Sequence, residues 1–187
     1  MTDYEVELKF PIIDPAEVIA RLQGLGATQT GMAEQSDRYF SHPVREFAQT
    51  DEALRLRSDG NQNCLTYKGP LLDSTTKTRQ EIEFEFAAGE EGAHKAWALL
   101  RALGFEDVFT VRKRRTSFAI DWEGRPFSVA CDNVDHLGNY VEIETMAGMN
   151  DWEAARDAAQ RLAQELSLSD SERRSYLQML LEQRSHH

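Results

Sequence analysis

The chain is short of cysteine, of positive charge and of long apolar runs, and each shortage closes off a class of function. Cys64 and Cys131 are the only cysteines. Each falls in an alternating stretch that reads as a strand, and neither sits in a Cys-x-x-Cys pair or beside clustered histidines. No disulfide framework or zinc site is expected, and both read as small buried thiols. No uninterrupted apolar stretch approaches the roughly 18 residues of a membrane span, and Met1 to Phe10 is acidic without a signal-like apolar centre. A soluble, cytoplasmic protein with no membrane partner is therefore expected. Lys plus Arg number 21 against 32 Asp plus Glu, for a net charge of -11 and a pI of about 4.9. Such a surface repels phosphate backbones on average, so nucleic acid is not expected as a partner, although a local basic pocket for a small polyanion remains open. What is present is ordinary globular material: 187 residues, 41% hydrophobic and 28% charged, enough for a single domain over 1–187.

Residues 4 to 10 alternate strictly, with Glu5, Glu7 and Lys9 on one face and Val6, Leu8 and Phe10 on the other, which predicts a strand. Asp14, Pro15 and Glu17 supply a cap, a first-turn proline and a capping-box acid for a helix with Val18, Ile19, Leu22 and Leu25 on its apolar stripe, ended by Gly26. Short strands follow at 37–40, 53–58 and 64–68, the last two joined through Asp59-Gly60. The opening unit then recurs. Glu81, Glu83, Glu85 and Phe86 stand 76 positions after Glu5, Glu7, Lys9 and Phe10, and Leu103-Gly104 stands 78 after Leu25-Gly26. The pattern predicts two repeats, about 4–78 and 79–145, the second with strands near 108–122, 126–132 and 139–145. C-terminal helices are expected over about 150–184, one capped by Asn150 with Glu153 and one starting at Ser169 with Glu172.

The strands carry doubled charges at i and i+2: acidic pairs Glu5/Glu7, Glu81/Glu83 and Glu142/Glu144, and basic pairs Arg55/Arg57 and Lys113/Arg115, joined by Lys9, Lys68, Arg79 and Asp132. The opposite faces, such as Leu54/Leu56, Ile82/Phe84 and Val141/Ile143, are apolar. Taken singly, such an acidic pair reads as a solvated face. Taken together, the pairs predict an α+β fold: a closed eight-stranded antiparallel β-barrel with a charged lumen and helices over its apolar outside. Two carboxylates at i and i+2 lie about 7 Å apart and repel by about 2 kcal/mol at an effective dielectric near 20. Protonation, opposite charges or divalent cations must offset that repulsion, and hard oxygen donors suit Mg2+ or Mn2+. The arginines and lysines in turn suit a multiply charged anion. A metal-bound polyphosphate answers both halves.

Glu5-Val-Glu-Leu-Lys9 resembles the ExExK signature of the CYTH, or triphosphate tunnel metalloenzyme, superfamily. Asp37-Arg-Tyr-Phe40, Leu54-Arg-Leu-Arg57, Leu65-Thr-Tyr-Lys-Gly-Pro70, Arg79-Gln-Glu-Ile-Glu83, Val111-Arg-Lys-Arg-Arg115, Asp132 and Val141-Glu-Ile-Glu144 follow in the family's order, and Ser175 to Leu181 resembles its closing helix. Segments between Tyr39 and Pro70 resemble the branch named for class IV adenylate cyclases. The resemblance implies a tunnel in which Glu5, Glu7, Asp132, Glu142 and Glu144 hold Mg2+ or Mn2+. Lys9, Arg55, Arg57, Lys68, Arg79, Lys113 and Arg115 would clamp phosphate oxygens, with Glu81 and Glu83 as nearby ligands or partners of the basic set. Lys9 and Tyr39 match a pair tied to water activation in the thiamine-triphosphatase branch, while Tyr39 also reads as a core aromatic.

Three activities stay open at this stage: conversion of ATP to cyclic AMP and pyrophosphate, favoured by the branch resemblance; hydrolysis of tripolyphosphate, thiamine triphosphate or a nucleoside triphosphate; and non-catalytic sensing of a polyphosphate or nucleotide. A homodimer is expected from family habit alone. Alternation turns Arg112 and Arg114 outward, and the polar stretch 72–78 reads either as a flap over the tunnel mouth or as a long hairpin connection.

Overall fold

The structure, a computed structural model, describes residues 3–60, 62–71, 79–148 and 150–185. The first group of elements is β1 (Asp3–Ile12), α1 (Pro15–Gly24), β2 (Thr28–Ser41), the single-turn α2 (Phe47–Thr50), β3 (Ala53–Ser58) and β4 (Asn63–Lys68). The second is β5 (Arg79–Phe86), α3 (Gly89–Ala102), β6 (Glu106–Trp122), β7 (Arg125–Val134) and β8 (Gly138–Gly148), followed by α4 (Trp152–Glu165) and α5 (Tyr176–Ser185). All eight strands pair antiparallel and close in a ring in the order β1-β5-β4-β3-β2-β6-β7-β8. Among the described residues no helix is long and apolar enough to cross a membrane.

Local chemistry accounts for most element ends. The Asp14 carboxylate accepts from the Ala16 amide at 2.8 Å, and Pro15 opens α1 with its fixed φ. α1 and α3 end alike: Gly26 and Gly104 take φ of +86° and +91°. In the first, the amides of Gly26 and Ala27 reach back to the carbonyls of Gln23 and Leu22; in the second, those of Gly104 and Phe105 reach Arg101 and Leu100. This closure needs a residue that tolerates the left-handed region, which explains the Leu-Gly signature at both places.

Three expectations are corrected. β2 begins at Thr28 rather than near 37, because its exposed first residues are held extended by pairing with the long β6, and hydropathy carries no trace of such a strand. α5 begins at Tyr176, not Ser169. Glu172 is instead held by the Arg174 amide and guanidinium, and the capping box lies at Ser175 and Gln178, whose amides and side chains bond reciprocally at 2.6 and 3.1 Å. Likewise α4 follows Asp151, whose carboxylate binds Arg125 instead of capping. The 72–78 segment lies outside the described residues.

Apolar packing sits outside the ring. Val18 and Leu22 of α1, with Ala158, Ala159, Leu162 and Ala163 of α4, cover Leu8, Phe10, Phe118, Val129, Val141 and Ile143 on the outer faces of β1, β6, β7 and β8. Leu100 and Trp97 of α3 cover Leu54, Leu56, Leu65 and Tyr67. Helices do not cover the whole outside as expected, since Ile82 and Phe84 on β5 are 54% and 55% exposed. A further cluster lies at one end of the lumen, where Tyr176, Met179 and Leu180 of α5 pack on Tyr39, Val111, Val134 and Tyr140.

Candidate active site inside the strand ring

The period of two in each strand turns one face of charges inward, and ring closure then decides which strands face each other. Glu5, Glu7 and Lys9 of β1 stand between Arg79, Glu81 and Glu83 of β5 and Glu142 and Glu144 of β8. Arg55 and Arg57 of β3, Lys68 of β4, Tyr39 of β2 and Lys113 and Arg115 of β6 complete the wall. All of these residues line one cavity of about 550 Å3, within the usual size of small-molecule sites. The acids of β5, β1 and β8 form one arc and the cations of β4, β3 and β6 the other, with β1 and β2 across the ring from each other by strand order. Arg112 and Arg114 point outward and are exposed.

In the basic arc each cation has a partner. Arg57 Nε and Nη2 donate to the two carboxylate oxygens of Asp37, both at 2.7 Å. Arg55 lies 3.8 Å from Asp37 and donates to Thr66 Oγ1 at 3.1 Å, while its buried Nε meets no acceptor among the described residues. Burial would raise the Asp37 pKa, but Arg57 and Arg55 hold it well below the usual carboxylate range. Arg115 grips Asp132 through Nε at 2.7 Å and Nη2 at 2.6 Å and also touches Glu142. Lys113 and the Tyr176 hydroxyl donate to the same Asp132 at 3.1 and 3.0 Å. Burial and the neighbouring Arg115 bring the Lys113 pKa down to about 8.

The acidic arc is less settled. Burial pushes the Glu144 pKa up to about 8, helped by Glu5, Glu142 and Glu7. Burial and Glu5 push Glu81 up to about 7. Glu5 is opposed by its own burial yet drawn down to about 2 by Lys68, by a hydrogen bond with Glu81 and by Arg79. Lys68 lies 3.4 Å from Glu5 and is hydrogen-bonded to Glu81. These are the marks of negative charge in excess of local compensation. Among the described residues, no three carboxylate, imidazole or thiol groups converge as a preformed metal cage. The donor set of Glu5, Glu7, Glu142 and Glu144 nonetheless fits a hard divalent cation in chemistry, being made of carboxylate oxygens alone.

Of the residues singled out in the sequence, Asp132 alone is absent from the cavity lining. Its side chain is wholly buried behind Arg115. Tyr39 is buried in the lumen-end cluster, and the aromatic ring beneath the Lys9 ammonium is that of Tyr176, 4.3 Å to its centre. Lys9 also hydrogen-bonds the Arg174 carbonyl. Two residues escaped the sequence reading. Asp37 shares the parity of Tyr39, which is a legible signal. Tyr176 is part of an apolar helical stripe, and nothing in that stripe reveals that its hydroxyl enters the lumen.

An eight-stranded ring with an oppositely charged pair of arcs inside defines a polyelectrolyte-lined tunnel. The CYTH domain family model matches residues 3–176, and the chain belongs to that family. It is 32% identical over 178 residues to "Putative adenylate cyclase MJ0240" of Methanocaldococcus jannaschii, covering 94% of this chain and 97% of that one. It is 30% identical over 183 residues to "Adenylate cyclase CyaB" of Aeromonas hydrophila, covering 92% and 86%. Among solved structures, the PH1819 protein of Pyrococcus horikoshii OT3 matches with a TM-score of 0.84 at 35% identity, over 96% of this chain and 99% of that chain.

Proposed function

We propose that this protein is a divalent-metal-dependent enzyme acting on a triphosphate, and that its reaction is the conversion of ATP to cyclic AMP and pyrophosphate. The observation that carries the reading is the cavity inside the strand ring in which Arg55, Arg57, Lys68, Lys113 and Arg115 face an arc of Glu5, Glu7, Glu142 and Glu144. The cyclase names borne by its relatives from Methanocaldococcus jannaschii and Aeromonas hydrophila support the choice of reaction.

In this reaction the ribose 3′-oxygen forms a bond to the α-phosphorus while the bond from that phosphorus to the bridging oxygen breaks. The hydroxyl proton passes to solvent, and the outer two phosphates leave joined as pyrophosphate. The guanidinium and ammonium groups of the basic arc, with Lys9 and Arg79, bind the phosphate oxygens and offset charge that accumulates on the leaving group. The buried Arg55 Nε, which lacks an acceptor among the described residues, is a donor suited to such an oxygen. Glu5, Glu7, Glu142 and Glu144 would hold Mg2+ or Mn2+, which supplies Lewis-acid polarisation of phosphoryl oxygens and eases deprotonation of the hydroxyl. Tyr39 lines the same cavity and fits a role in placing the attacking group.

Phosphorus NMR of one reaction mixture with ATP and either metal tests the proposal. Cyclic AMP with pyrophosphate is the expected outcome. ADP with orthophosphate, or orthophosphate from tripolyphosphate with no cyclic nucleotide from ATP, rejects the cyclase reaction in favour of triphosphate hydrolysis. ATP and tripolyphosphate both left intact reject enzymatic turnover in favour of binding alone.

A further inference from the structure

Two antiparallel strand pairs of the ring use the same device. In the register of β2 with β3, Asp37 stands directly opposite Arg57, and in that of β6 with β7, Arg115 stands directly opposite Asp132. Both arginines present the Nε–Nη2 edge of the guanidinium to the aspartate, with all four contacts between 2.6 and 2.7 Å. The aspartate side chains are 2% and 0% exposed. A fork held on that edge has its Nη1 edge turned away from the aspartate, so its direction is fixed before any ligand arrives.

Asp132 also accepts from Lys113 Nζ and the Tyr176 hydroxyl, so its two oxygens receive four hydrogen bonds. Three of the four fall on Oδ2 and one on Oδ1. Two of the donors are the cations Lys113 and Arg115, so the charge of Asp132 is already matched from its own chain, and Asp132 does not line the cavity. The basic arc, for its part, gathers Arg55, Arg57, Lys113 and Arg115 within one lumen. Their mutual repulsion needs buried counter-charge if they are to stay converged without ligand.

We propose that Asp37 and Asp132 are matched positioning residues that lock the Arg57 and Arg115 forks toward a bound triphosphate, and that Asp132 acts there as a counter-ion and not as a metal ligand. This inference rests on the triphosphate reading above. It adds a division of labour: the metal belongs to the β1 and β8 carboxylates, and the two aspartates serve the anion side alone.

Two equilibrium measurements on the full chain separate the alternatives: Mn2+ binding without substrate, followed by electron paramagnetic resonance, and tripolyphosphate binding by calorimetry at saturating Mg2+. Asp132→Asn and Asp37→Asn are each expected to leave Mn2+ affinity within about twofold of wild type and to weaken tripolyphosphate by about tenfold or more, a tenfold loss corresponding to about 1.4 kcal/mol. Combining Asp132→Asn with Arg115→Lys is expected to weaken tripolyphosphate no further than the weaker single variant, because both remove one locked fork. If Asp132→Asn loses Mn2+ affinity by about tenfold or more, Asp132 is a metal ligand and the inference is overturned. Should that variant fail to fold, Arg115→Lys, which keeps both charges and removes only the fork, carries the test. Undiminished tripolyphosphate affinity in Arg115→Lys overturns the inference, and so does full additivity where the double variant folds. Wild type that binds neither Mn2+ nor tripolyphosphate overturns the triphosphate reading itself, and this inference with it.

Discussion

Arg57 and Arg115 each meet a buried aspartate at 2.6–2.7 Å, whereas burial, helped by Glu5, Glu142 and Glu7, raises the pKa of Glu144 to about 8. The basic arc is held by buried aspartates on its paired strands, whereas the acids of the other arc share cations from several strands, Lys68, Arg79, Arg55 and Arg115. The difference teaches how such a lumen survives folding. Arginines that converge on one lumen are held apart and aimed by buried counter-ions set behind them. In the acidic arc, burial and neighbouring carboxylates raise the pKa of Glu144 and Glu81, so that protons relieve part of the repulsion there.

The largest expected effect tests the acidic side. Glu144→Gln keeps size and removes a carboxylate that could ionise onto a bound cation, and turnover with Mg2+ should fall by at least about 100-fold with the fold intact by circular dichroism. Turnover within a few-fold of wild type would place the metal elsewhere. On the basic side, Arg57→Ala leaves Asp37 buried with Arg55 as its nearest cation, at 3.8 Å. A loss of about 3 kcal/mol in urea unfolding is expected, since removing one partner strands the other. A near-neutral result would mean that Asp37 is not held as a charged group.

Tripolyphosphate with Mg2+ should stabilise the wild-type chain by about 2.7 kcal/mol at a hundredfold excess over its dissociation constant, read from thermal or urea unfolding. Absence of any shift would contradict an anion-binding lumen. The smallest effect is a slope in pH. Glu144 in the fold, its pKa raised to about 8 by burial and neighbouring carboxylates, keeps its proton well above the ordinary glutamate value of 4.5. The folded state therefore binds more protons than the unfolded chain between those values, and stability of the metal-free protein declines as pH rises through that window. Glu81, raised to about 7, adds to the decline over the lower part of the window. Glu144→Gln, or added Mg2+, should flatten the slope of the urea midpoint against pH. An equal slope in that variant would deny that Glu144 holds a proton in the fold.

Much of this architecture was legible in the chain because a strand's period of two makes burial visible in the order of residues. Glu5, Glu7 and Lys9 against Val6, Leu8 and Phe10 announce a strand with one charged face, and the Leu-Gly helix ends appear twice because one backbone closure demands them. The residues of the cavity wall were legible for the same reason. What alternation does not carry is which strand neighbours which. The placement of Asp132 is lost at that point, because a carboxylate in sequence looks the same whether it faces a cavity or, as here, stands behind an arginine.

By itself, the sequence determined the alternation of each strand, the helix caps at Asp14 and at the Leu-Gly closures, and the set of charges turned to one face, all of which depend on neighbours within a few residues. Only the tertiary structure decided that β1 lies across the ring from β2, that Asp37 and Asp132 pair with arginines from adjacent strands, and that Tyr176 reaches into the lumen from the C-terminal helix. These depend on ring closure and on contacts between residues far apart in the chain, such as Asp132 with Tyr176 and Lys9 with Arg174, whose energies arise only once the strands have been brought together.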